Sequence, residues 1–259
     1  MAPLLSVQSV RREFNVRGKN VLALDTLNLG IDEGEFVTVV GPSGCGKSTL
    51  LNLVVGLLTP TAGQILFRDR PISGINPEIG YVTQKDNLLP WRTLTENVEL
   101  ALEIRGIEKS ARRSRAGELI ERVGLTGFEE HYPHELSGGM RQRANIIRTL
   151  IYDPELILMD EPFGPLDAQT RIVLQEQLLK LWLASKKTIL FITHDLVEAI
   201  TLADRVIVMT SRPGKIKHIA AVPIPRPRDV YQIHTSREFR DVYDTLWREL
   251  RPEVNLAET

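Results

Sequence analysis

One stretch constrains this chain more than any other. Gly41, Pro42, Ser43, Gly44, Cys45, Gly46, Lys47, Ser48 and Thr49 follow directly on the apolar run Phe36-Val37-Thr38-Val39-Val40. The order reads as a buried strand, a glycine-rich turn and a helix that begins near Lys47. Glycines at 41, 44 and 46 let the backbone take positive φ angles and curl until its N–H groups converge on one concavity. Such a concavity binds phosphate, and the positive end of the following helix strengthens the field there. The stretch matches G-x-x-x-x-G-K-[ST] in full, which puts Lys47 on the β- and γ-phosphates and the Ser48 hydroxyl on Mg²⁺. A nucleoside triphosphate is therefore expected, while the use made of its hydrolysis is left open.

The bulk of the chain narrows the setting. With 259 residues, 42% of them hydrophobic, it can bury a proper core as one large domain or two small ones. A net charge of -1 provides no global attraction to nucleic acid or to an anionic membrane. Cys45 is the single cysteine, so no internal disulfide framework exists, as suits a reducing compartment. The first residues, Met-Ala-Pro-Leu-Leu-Ser, lack a basic flank before an apolar stretch of signal length. No apolar run reaches the ~18 to 20 residues that span a bilayer. Service to a membrane would come from its cytoplasmic side, through a partner.

Read in order, 4–10 and 21–31 have strand character, with Leu27, Leu29 and Ile31 alternating against Asn28 and Gly30. They suggest an antiparallel layer. Phe14 lies between them, near the turn 17–20, where an aromatic could stack on a base; from the residues alone a core position is favoured. Residues 49–58 are apolar on nearly all sides, a helix buried against a sheet. Short strands follow at 64–67 and 79–82, the second leading to Gln84. From 91 to 123 helical spacing dominates, and Arg105, Lys109, Arg112, Arg113 and Arg115 form a basic face, read as solvated. Gly124 suits a helix end. A further helix covers 141–152, and the apolar run Leu156-Ile157-Leu158-Met159 delivers Asp160 and Glu161 at its C-terminal end. A helix over 170–184, a buried strand 188–193 ending at His194, and strands at 205–210 and 215–222 complete an α/β pattern with a mainly parallel sheet. The proline-rich 223–228 excludes regular structure. Thr235 with Glu238 suggests a capping box for a last helix whose face carries Phe239, Val242, Tyr243, Leu246 and Leu250. The segmentation is a single domain: a catalytic core with β layer over 4–90 and 153–222, a helical subdomain over 91–152, and a C-terminal tail and helix over 223–259.

A second glycine motif limits the choice among P-loop enzymes. Leu136-Ser137-Gly138-Gly139-Met140-Arg141-Gln142-Arg143 lies between the phosphate loop and the acidic strand, and it resembles the signature of ATP-binding cassette (ABC) ATPases. Other parts follow in the family's order: Phe14 resembles the A-loop aromatic, Gln84 the Q-loop glutamine and 156–160 the Walker B strand. Glu161 resembles the catalytic glutamate, Gly164-Pro165-Leu166-Asp167 the D-loop and His194 the switch histidine. The resemblance covers roughly residues 4 to 250.

The chemistry of several of these groups stands without the family. Asp160 suits Mg²⁺, an ion that prefers oxygen ligands and retains water. Glu161, one residue on, suits activation of the attacking water. Lys47, Gln84 and His194 supply positioning and charge for phosphoryl transfer. Ser137, Gly138 and Gly139 at a helix start form a second anion-binding terminus, for which a structural turn is the alternative. The resemblance implies that this motif faces the γ-phosphate held by an opposite subunit, so that two ATP molecules are sandwiched in a head-to-tail homodimer or a pair of similar subunits; Asp167 joins the site by the same implication.

Residues 87–93, 210–214 and Arg226-Pro227-Arg228 resemble ATPases of nitrate, sulfonate, taurine and bicarbonate importers. That implies a peripheral subunit on the cytoplasmic face of the inner membrane, attached to two permeases and served by a solute-binding protein, with no nucleic-acid partner. A soluble ABC ATPase of ribosomes or DNA, or an exporter or lipid-transport subunit, is the alternative. Pro165, Lys85-Asp86 and Ala144-Asn145-Ile146 depart from the common pattern without touching a catalytic group.

Overall fold

The computed structural model describes residues 2–257. In chain order, β1 (Leu5–Val16), β2 (Lys19–Ile31) and β3 (Phe36–Val40) precede α1 (Lys47–Val54), and β4 (Ala62–Phe67), β5 (Arg70–Pro71) and β6 (Ile79–Val82) follow it. Next come α2 (Leu94–Ile104), α3 (Lys109–Arg122) and α4 (Gly138–Leu150). The chain then alternates through β7 (Leu156–Asp160), α5 (Ala168–Ser185), β8 (Thr188–Ile192), α6 (Leu196–Leu202) and β9 (Arg205–Met209), and closes with β10 (Ile216–Ala221) and α7 (Arg237–Ala257).

The larger sheet has the order β10-β9-β3-β8-β7-β6, parallel throughout except for the antiparallel edge strand β10. Its strands read as unbroken apolar runs because both faces are covered. In β3, Phe36 and Val40 join one core while Val37 and Val39 join another. Ile157 and Met159 of β7 divide from Leu156 and Leu158 in the same way, as the two-residue period of a strand requires. On the first face Phe36 meets Trp182 edge-on at 5.9 Å and Phe191 at 6.0 Å, contacts that favour one packing over its alternatives. On the second lies the antiparallel layer β2-β1-β4-β5, with α1 between the sheets. A third core joins α2, α3 and α4 through Leu94, Val98, Ile120 and Ile147.

The mainly parallel sheet, antiparallel layer and helical portion agree with expectation; several boundaries do not. α1 stops at Val54, four residues before the expected end, because Gly56 takes φ 83 just past the C-cap, the usual left-handed exit from a helix. A Cβ on Gly56 would lie 1.8 Å from the Gly74 carbonyl. The seven-residue α6 was not foreseen, although Asp195 caps it by accepting from Val197 and Glu198 N–H. Thr235 does not open the last helix: it ends a short 3-10 turn, and the Ser236 hydroxyl accepts from Phe239 N–H instead. The basic helix face is largely engaged within the fold. Arg112 and Arg113 approach the buried Glu99 at 3.4 and 3.8 Å, and Arg105 donates to the Tyr152 and Pro77 carbonyls.

The proline-rich tail serves as a staple. The Arg228 guanidinium donates to the Ile200, Thr201 and Ala203 carbonyls at the end of α6 and to those of Val222 and Ile224. Arg226 donates to the Leu202 carbonyl and lies over the Trp182 ring at 4.1 Å. A cation suits a helix C-terminus, and burial lowers the Arg228 pKa to about 10. Arg228→Met leaves several part-buried carbonyls without donors, so a loss of about 3 kcal/mol is expected. In thermal unfolding this reads as a Tm lower by roughly 6–12 °C, and an unchanged Tm refutes the staple.

Candidate nucleotide site

Because β6, β7, β8, β3 and β9 run parallel, their C-terminal ends share one edge of the sheet, the usual place for ligands in such folds. Gln84 follows β6, Asp160 ends β7, His194 follows β8 and the glycine-rich loop follows β3. One cavity at that edge is lined by Phe14, Lys47, Ser48, Gln84, Asp160 and Glu161, among others.

The loop itself differs in one respect from expectation. Gly44 and Gly46 have φ of 74° and 103°, whereas Gly41 is not in the left-handed region. Space determines Gly41: a Cβ there would come within 2.9 Å of Cys45 Sγ. Cys45 points into the core, only 1% exposed, so toward a ligand it offers backbone alone, and burial pushes its thiol pKa up. Gly46 is the N-cap of α1 and makes no side-chain cap, which leaves the first N–H groups of the helix free for an anion. Lys47 is buried; its Nζ donates to the Gly41 and Pro42 carbonyls at 2.8 and 3.1 Å and stands 4.0 Å from Glu161 Oε1.

Asp160 accepts a hydrogen bond from Ser48 and one from the Tyr81 hydroxyl at 3.4 Å. Burial raises its pKa. Glu161 would normally point to the opposite side of a strand from its neighbour. Instead it takes φ 44, an uncommon conformation for such a residue and one concentrated at functional sites. Its N–H donates to the Ile192 carbonyl at 3.0 Å, and its carboxylate meets His194 Nδ1 at 3.0 Å. The turn at Glu161 thus brings two successive carboxylates and a histidine to one place. A hydroxyl, a carboxylate and an amide oxygen (Ser48, Asp160, Gln84) form a hard oxygen set that fits Mg²⁺.

Phe14 is half-buried on β1, opposite Val21, with the Arg12 guanidinium 4.6 Å from its ring centroid. It lines the cavity rather than a core, against the reading favoured by the residue alone. Ser137, Gly138, Gly139 and Asp167 stand apart. The Ser137 hydroxyl caps α4 through Met140 N–H and Asp167 caps α5 through Thr170 N–H. Gly138 borders a different recess, shared with Gln84, Arg141 and Leu166.

Residues 24–164 match the ABC transporter family. This chain belongs to that family. It is an ATP-binding cassette and an ATPase. An uncharacterized ABC transporter ATP-binding protein of Methanocaldococcus jannaschii is 48% identical over 250 residues, covering 96% of the cassette and 92% of the relative. The taurine import ATP-binding protein TauB of Yersinia pestis is 50% identical over 213 residues, 82% of each chain. Among solved structures, a dimeric post-hydrolysis state of the ATP-binding cassette MJ0796 bound to ADP and Pi superimposes with a TM-score of 0.76 at 33% identity, over 85% of this cassette and 100% of that chain.

Several features of the cassette have little signal in the sequence. Asn145, noted only as a departure, is fully buried; it donates to the Thr83 carbonyl beside Gln84 and accepts from Arg148. Asp86 pairs with Arg141 at 3.1 Å. Both unusual positions therefore strap α4 to the segment bearing Gln84. Arg212, from the stretch 210–214, also lines the nucleotide cavity. Arg171 links two further parts of the cassette, donating to the Leu166 carbonyl and to Asp195, next to His194.

Proposed function

We propose that this cassette powers import of a small anion, of the nitrate, sulfonate, taurine or bicarbonate kind, through two permeases fed by a solute-binding protein. The observation that carries the reading is the likeness to a taurine import ATP-binding protein, 50% identical over 82% of each chain. No helix among the described residues is long and apolar enough to cross a membrane. Permeases would then hold the cassette as a peripheral subunit at the cytoplasmic face. Segment 91–152 acts as the helical subdomain, 4–90 with 153–222 as the catalytic core, and 223–259 as tail and helix.

In this reading Phe14 stacks on the base, and residues 41–49 wrap the phosphates, with Lys47 neutralising their charge. Glu161 takes the proton from the attacking water, and His194 orients that carboxylate through the 3.0 Å contact. Asp160, Ser48 and Gln84 would hold Mg²⁺, which supplies charge neutralisation at the phosphate oxygens. Ser137, Gly138, Gly139 and Asp167 act on the nucleotide of a second copy, or of a similar subunit, in a head-to-tail pair. Their separation from the chain's own cavity and the dimeric state of a related cassette support this.

Co-purification tests the branch. Recovery with two hydrophobic permeases is expected; recovery with ribosomes or DNA sinks the import reading. The composite site has its own test. Ser137→Arg is expected to leave each monomer's ATP affinity within about twofold and to lower turnover at least a hundredfold, because the bulky cation blocks a site completed in trans. Intact turnover in that variant refutes the shared site.

A further inference from the structure

The segment that follows β9 is built into the phosphate loop. The Gly214 N–H donates to the Ala23 carbonyl at 2.9 Å, and its own carbonyl accepts from Asp25 N–H at 3.0 Å. A Cβ on Gly214 would lie 2.0 Å from the Cys45 carbonyl, so only glycine allows this approach of backbone to backbone. The Thr210 hydroxyl donates toward the Ser211 and Pro213 carbonyls and accepts from Lys215 N–H. From the far side, Glu253 of α7 accepts the Ser211 N–H at 2.8 Å and pairs with Lys217 at 2.8 Å. Residues 210–215 are thus anchored to β2, to the phosphate loop and to the last helix.

From this mount a single cationic side chain enters the nucleotide cavity. Arg212 Nη2 donates to the Gly44 carbonyl at 3.3 Å, on the phosphate loop itself. The guanidinium carries five N–H donors, of which only this one has a protein acceptor among the described residues. No carboxylate is paired with it there, and the side chain is exposed. An unneutralised guanidinium beside an anion cradle matches phosphate geometry.

We propose that Arg212 is a nucleotide-binding residue, its guanidinium pairing with the polyphosphate of bound ATP or ADP. The proposal rests on nucleotide occupying the cradle at 41–49. Calorimetric titration of MgADP into the wild type and into Arg212→Lys, Arg212→Gln and Arg212→Glu tests it, with nucleotide-free thermal unfolding to verify that each variant is folded. Affinity is expected to follow charge: within about threefold of wild type for Lys, about tenfold weaker for Gln and about a hundredfold weaker for Glu. Added salt should shrink these differences. Wild-type affinity in the Gln and Glu variants overturns the proposal, as does an equal loss in all three, which signals a loop-shaping role instead. A wild-type protein that fails to bind MgADP sinks the nucleotide-site reading itself, a result distinct from either.

Discussion

Glu161→Gln is expected to bind MgATP with near wild-type affinity and to hydrolyse it about 10²- to 10⁴-fold more slowly, the range that a positioned general base contributes. The amide preserves the size of the side chain and a hydrogen-bonding group toward His194 Nδ1, now 3.0 Å from the carboxylate. What it removes is the proton acceptor. The variant also removes one negative charge beside Asp160 and Lys47, which lowers repulsion toward the triphosphate, so binding is not expected to suffer. With hydrolysis stalled, the ATP-bound pair should accumulate and elute as a dimer. Phosphate release and size-exclusion chromatography in MgATP are the measurements, and turnover within a few-fold of wild type removes Glu161 from the role of base. Because the backbone at Glu161 holds φ 44, a glycine there would relieve strain; Glu161→Gly should match or exceed the stability of the wild type while still failing to hydrolyse.

Lys47→Ala is expected to lose MgATP affinity by about 10- to 100-fold, the equivalent of one charge-assisted hydrogen bond set, and to lose hydrolysis with it. Lys47 Nζ donates to the Gly41 and Pro42 carbonyls and stands 4.0 Å from Glu161. The ammonium is thus already inside the cradle, and a phosphate entering it exchanges for these carbonyl contacts. Without the lysine, the carboxylates of Asp160 and Glu161 face the triphosphate with one cation fewer beside them. Ligand-induced stabilisation makes the loss visible. At a nucleotide concentration 100 times its Kd the wild type gains about 2.7 kcal/mol, whereas the alanine variant should gain only about 0.4 to 1.4 kcal/mol at that concentration. An equal shift in both proteins rules out Lys47 as a phosphate ligand.

These two residues were legible in the sequence because each belongs to a contiguous pattern whose local backbone dictates its position. The strand before Gly41, the helix after Gly46 and the acidic end of β7 are local matters, settled by apolar runs and by glycine. Elsewhere the short-range signal is ambiguous. Val55, Leu57 and Leu58 continue the apolar run and mimic a longer α1, and the seven residues of α6 are too few to show a period. Thr235 and Ser236 are both cap-forming residues, and the shift of one residue between them is one that periodicity does not detect.

By itself the sequence determined the phosphate-binding chemistry, the acidic pair at a strand end, the α/β class and the kinship with ABC ATPases. All of these rest on neighbours along the chain or on motifs read in order. Only the tertiary structure decided which of the scattered groups converge. The strand order β9-β3-β8-β7-β6 is not the order of the chain, and it brings Gln84, Glu161, His194 and Arg212 to one edge from positions spread over more than a hundred residues. Strand order depends on long-range packing of two apolar faces, and side chains such as Phe14, Asn145 and Arg212 acquire their surroundings only when that packing sets what lies across from them.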